Sequence, residues 1–124
     1  MKLRSAGHLY VGRHNMLRRL ATRIAVFRLC RRAKQQAERR GVRASIYWFG
    51  VYYIHPKHLA VIVRVDTDQK KAKLNNDTTF LADVRNELAA VSYPVEGREG
   101  VGFEVESYET VARDFGGSWY YRFK

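Results

Sequence analysis

His55 and His58, separated by Pro56-Lys57 and followed by Arg64, are the residue types a metal-free ribonuclease uses. In such a site an imidazole takes a proton and a guanidinium holds the phosphate. Two histidines three apart across a turn can also face one ion. A stable metal site needs a third ligand, however, and none lies nearby in sequence. The default reading of the pair is a solvated turn, so no catalytic residue, metal ligand or cofactor is assigned.

A second group is acidic. Glu104 and Glu106 are two apart in an alternating pattern and must share one face of a strand. With Glu109 they form part of a locally acidic C-terminal third, which as an outward face suits a basic partner. Trp119 and Tyr121 follow on the last segment, and Tyr47, Trp48, Phe49, Tyr52 and Tyr53 crowd an earlier one. Such aromatics form protein-binding hot spots or stack unpaired bases, although a place in the core explains most of them.

The third group is basic. The chain carries a net charge of +11, and its location matters more than its size. Residues 1–43 hold thirteen Lys/Arg and one acid, Glu38, whereas residues 44–124 are close to neutral. Arg18, Arg19, Arg23, Arg28, Arg31, Arg32, Arg39 and Arg40 spread charge around a helical pattern. Such a segment can neutralise phosphates, with salt-sensitive binding through counterion release. It also fits an anionic membrane surface, an organelle transit peptide, or a helix whose arginines are merely its solvated face. Neither Gly100-Val101-Gly102 nor Gly116-Gly117 sits between a strand and a long helix, as a phosphate-binding loop requires.

At 124 residues the chain suits one core. Cys30 is its one cysteine, which excludes an intramolecular disulfide and any multi-thiolate zinc site and fits a reducing compartment. The longest apolar run, Leu59 to Val63, is far too short to cross a bilayer, and the N-terminus lacks the pattern of a secretory signal. The expected location is the cytoplasm.

These groups must be positioned by the following expected elements. Gly7 and Gly12 discourage an early helix, and Asn15 caps a helix running to Arg40, ended by Gly41. One apolar stripe on it is Leu17, Leu20, Ala21, Ile24 and Phe27, which then shifts to Val26, Leu29, Cys30, Ala33 and Ala37. Ser45 to Ile54 reads as a strand apolar on both faces, and Leu59 to Asp66 as its hairpin partner. Residues 66–76 read as a polar loop. Asp77 or Thr78 caps a helix to Val91 with the stripe Phe80, Leu81, Val84, Leu88 and Val91. A loop over 95–100, a strand over 101–106, a helical turn over 107–115 and a last strand through Trp119, Tyr121 and Phe123 complete the chain. The predicted fold is α+β: a two-layer sandwich in which a mostly antiparallel four-stranded sheet carries one packed helix. Residues 1–43 form a basic helical arm and residues 44–124 the compact domain.

From Ser45 onward, chiefly in Gly102-Phe103-Glu104-Val105-Glu106-Ser107-Tyr108-Glu109-Thr110-Val111 and Trp119-Tyr120-Tyr121, the chain resembles small bacterial immunity proteins. These accompany contact-dependent and other polymorphic toxins. The resemblance implies a non-enzymatic inhibitor that occludes a cognate toxin domain through an acidic and aromatic surface, here Glu104, Glu106, Glu109, Trp119 and Tyr121. The alternatives are a nucleic-acid-binding module using the arginine-rich arm, and a small metal-free ribonuclease using His55, His58 and Arg64.

Overall fold

The computed structural model describes the backbone of residues 2–124 and the side chains from Asn15 onward. The first element, α1 (Lys2–Arg39), is one continuous helix, so Gly7 and Gly12 do not delay its start and Asn15 is not its cap. Gly41 ends it as expected. Its φ of +73° is one that an L side chain resists, and Val42 N–H reaches back to the Ala37 carbonyl at 3.1 Å.

Two apolar stripes compete for the interior on α1, and the second wins. Ala25, Val26, Leu29, Ala33 and Ala37 are buried, the alanines allowing the helix backbone to lie close over the sheet. The first stripe stays open: Leu17, Leu20, Ala21 and Ile24 are exposed, and Phe27, 52% exposed, only meets the Trp48 ring edge-on at 6.5 Å. The boundary at residue 43 therefore marks a change in charge, while packing runs straight through it. The C-terminal half of the basic helix belongs to the same core as the body.

Strand β1 (Ser45–Phe49) pairs antiparallel with β2 (Ala60–Val65), and β2 pairs parallel with β3 (Gly102–Ser107). The α+β class holds, but the sheet has three strands in mixed orientation, not four mostly antiparallel ones. β1 stops at Phe49 because Gly50, at φ +115°, turns the chain so tightly that a Cβ there would lie 2.1 Å from the His58 carbonyl oxygen. Residues 51–54, expected to extend the strand, form turns.

The segment expected as a polar loop is a helix, α2 (Asp68–Asn76), capped by Thr67, whose side chain accepts from Lys70 N–H. Then α3 (Phe80–Ala90) buries Phe80, Val84 and Leu88 as its stripe predicts, whereas Leu81 of the same stripe is exposed. A short 3-10 helix (Val95–Gly100) leads into β3. Ser107 caps α4 (Tyr108–Phe115), which ends at Gly116. The expected last strand is a helix, α5 (Trp119–Phe123).

Strand alternation sorts the sheet residues into two faces. Ile46, Trp48, Val61, Val63, Phe103 and Val105 join the core beneath α1 and α3. Tyr47, Phe49, Ile62, Arg64, Glu104 and Glu106 point the other way. There Trp119 and Phe123 of α5 pack on Tyr47 with centroids 6.3 and 6.4 Å away. Helices therefore lie on both faces, which replaces the two-layer expectation. Among the described residues no helix is long and apolar enough to cross a membrane.

Candidate nucleic-acid interface

The eight arginines of the basic helix do not form one set. Arg40 is a structural clamp, 16% exposed at its side chain. Its guanidinium donates to Asp77 Oδ2 at 2.8 Å, Asp83 Oδ2 at 2.6 Å, Thr79 Oγ1 at 3.2 Å and Gln36 Oε1 at 2.9 Å, and lies over the Phe80 ring. Burial lowers its pKa, but hydrogen bonds and charge from Asp77 and Asp83 outweigh that and raise it. Arg40 ties α1 to the start of α3 and has no fork left for a phosphate. Arg18 pairs with Glu96, and Arg32 lies 3.7 Å from Glu87.

Arg19, Arg23, Arg28, Arg31 and Arg39 are exposed and meet no carboxylate among the described residues. From Arg19 to Arg31 they run along about 18 Å of one helix at 1.5 Å per residue. Because that helix is anchored in the core from Ala25 onward, their spacing is held by the fold.

The face of α1 that continues its buried side toward the N-terminus overhangs the body. There a cleft of about 470 Å³ opens between Arg18, Arg19 and Thr22 of the helix and Tyr52, Tyr53, His55 and Pro56 of the turn after β1. Arginines of the basic helix thus share one cleft with His55 and two tyrosines of the body, so the positive segment and the near-neutral domain are not separate surfaces here. His55 Nδ1 accepts from Lys57 N–H at 3.1 Å, so a neutral ring carries its proton on Nε2. The His58 ring lies 6.1 Å from His55.

Arg64 is not with them. It lies on the opposite sheet face, over the rings of Tyr47, Tyr108 and Trp119 at 5.4, 5.5 and 5.2 Å, with Nε donating to Ser45 Oγ at 3.1 Å. The trio His55, His58 and Arg64 does not assemble. Cys30 offers no nucleophile either, since burial pushes its thiol up to about 11. No cluster of His, Cys, Asp and Glu able to hold a metal occurs among the described residues.

The acidic set is turned to internal use. Glu104 and Glu106 share a face, as their spacing requires, and both pair with Arg122 of α5. Glu106 is fully buried and also accepts from Lys71 Nζ and from Ser107 N–H, each at 2.8 Å. Burial works to raise its pKa, but Lys71, the Ser107 amide and Arg122 together lower it. Glu109 accepts from Asp68 N–H at 2.9 Å at the start of α2. Asp68 in turn accepts from Ser107 Oγ at 2.5 Å, Thr110 Oγ1 at 2.6 Å and Arg113 at 2.8 Å. Trp119 sits within the aromatic cluster, while Tyr121 is exposed. No sequence signal announced the partners of Glu106, because Lys71 lies in a segment read as a loop and Arg122 in one read as a strand.

These pairings carry a pH signature. The hydrogen bonds to Ser107, Thr110 and Arg113 hold Asp68 well below the usual carboxylate range. Thr79 and Arg40 take Asp77 down to about 2, and Glu106 is lowered as well. Groups with depressed folded pKa values add stability that is complete above their unfolded values and lost as pH falls through the folded ones. The melting temperature is therefore expected to hold from neutral pH to about 4.5 and fall steeply toward pH 2. Thermal melts across that range check this; a flat profile below pH 4.5 would show these pairs add no net stability.

Compared with protein-family models, curated proteins and solved structures, the chain matches none.

Proposed function

We propose that this chain is a non-enzymatic nucleic-acid-binding protein, with α1 as the contact element. One observation carries the reading: Arg19, Arg23, Arg28 and Arg31 are exposed, without acidic partners among the described residues, on a helix built into the core. Phosphate oxygens complement that array, because a guanidinium fork binds them with two parallel hydrogen bonds. The near-neutral body supplies little competing attraction.

The test is a salt titration of affinity for a labelled oligonucleotide. Four phosphate contacts predict a log–log slope of roughly −3. Binding whose affinity ignores salt would contradict the reading.

A second reading, an immunity-type inhibitor of a toxin domain, rests on Tyr120 and Tyr121, which are 66% and 62% exposed at the C-terminal end. Exposed tyrosines supply contact area in protein interfaces at low entropy cost. That reading predicts capture of a single nuclease-like protein that survives moderate salt and is lost when both tyrosines become alanine.

A further inference from the structure

We propose that the cleft between α1 and the turn after β1 receives one unpaired base of a single-stranded ligand, with the neighbouring phosphate on Arg19; this rests on the nucleic-acid reading above. Three features of the cleft point to a base. Its volume of about 470 Å³ is that of a small-ligand site and not of a groove able to hold a duplex. Tyr53 on its wall is 55% exposed, yet its ring is braced edge-on by Tyr52 at 6.0 Å, which is braced in turn by Trp48 at 5.6 Å. A fixed and open aromatic ring is a stacking platform, and stacking tolerates every base. The imidazole of His55 keeps Nε2–H as a donor for base-edge acceptors, its other nitrogen being held by Lys57 N–H.

The charges in the cleft set the polarity of the site. Glu96 lines it but is paired with Arg18, which leaves Arg19 as the cation without an acidic partner among the described residues. The floor is rigid. Tyr93 donates to the Pro56 carbonyl at 2.5 Å, and Gly97 packs so closely that a Cβ there would lie 2.5 Å from Pro56. A site shaped before binding loses little entropy on ordering its ligand. A base inside a duplex must leave its stack to enter such a cleft, whereas an unpaired base is already available.

The experiment measures fluorescence anisotropy with labelled oligodeoxythymidine, oligouridine and a mixed-sequence DNA duplex of equal length. The intact chain should bind the single strands about tenfold tighter than the duplex. Tyr53→Ala should remove that preference while leaving duplex affinity unchanged, and Tyr53→Phe should retain it. Circular dichroism checks that both variants remain folded. Equal binding of single strand and duplex by the intact chain overturns the inference and leaves the arginine reading standing. So does a Tyr53→Ala variant that weakens both ligands alike. Failure to bind any of the three oligonucleotides overturns both.

Discussion

Replacing Glu106 by alanine is expected to lower unfolding free energy by about 3 kcal/mol, the low end of the cost of breaking a buried ion pair, because its partners are partly solvated. The carboxylate is fully buried and engages three donors: Lys71 Nζ and Ser107 N–H at 2.8 Å, and Arg122 Nε at 2.5 Å. Its removal leaves Lys71, 28% exposed at its side chain, and a backbone N–H without this acceptor, while Arg122 keeps only Glu104. Because Lys71 belongs to α2 and Arg122 to α5, one side chain on β3 joins two peripheral helices to the sheet. Glu106→Gln keeps the shape and one acceptor, so its cost should be clearly smaller. Urea unfolding with each variant gives the comparison. A loss below about 1 kcal/mol for the alanine variant, the size of a single exposed ion pair, would mean that the triad is solvated in practice. Trp119 fluorescence should report loosening of α5 in the same samples.

Changing Arg19, Arg23, Arg28 and Arg31 together to alanine is expected to weaken oligonucleotide binding by about 100-fold at low salt, equivalent to roughly 2.7 kcal/mol. The salt slope should collapse toward zero, since each arginine removed is one counterion release lost. Folding should be almost untouched. All four side chains are exposed without carboxylate partners among the described residues, and alanine is the better helix former. Arg40→Ala supplies the contrast, because that side chain clamps Asp77 and Asp83 and its loss should reduce stability with little effect on the salt slope. Affinity and salt slope preserved in the fourfold variant would remove α1 from the interface. The exposed Tyr120–Tyr121 end would then be the remaining contact surface.

Several elements were legible because one local signal sufficed. Most of the α3 stripe, the helical segment over 107–115 and the end at Gly41 appear where the sequence places them. The last segment was misread for a definable reason. Trp119 and Phe123, four apart, share a face in a strand and also in a helix. Tyr121 distinguishes the two, since a strand would place it beside them, whereas here it is 62% exposed. The parallel pairing of β2 with β3 leaves a trace in the sequence. A parallel partner needs a long crossover, usually helical, and residues 66–101 hold α2, α3 and a 3-10 helix. Helix α2 escaped notice because Leu74 is its one buried residue, too few to make a stripe.

Composition and order alone determined that positive charge gathers in the first third of the chain and that Glu104 and Glu106 face the same way. These follow from counting and from the period of a strand. Tertiary structure decided which charges remain available. Arg40 is taken by acids 37 and 43 residues away, Glu106 by cations 35 and 16 residues away, and the cleft is lined by Arg19 of α1 and Tyr53 of a distant turn. A charge is a property of a residue. Whether it is neutralised depends on the few ångströms around it, and those are set by packing between segments distant in the chain.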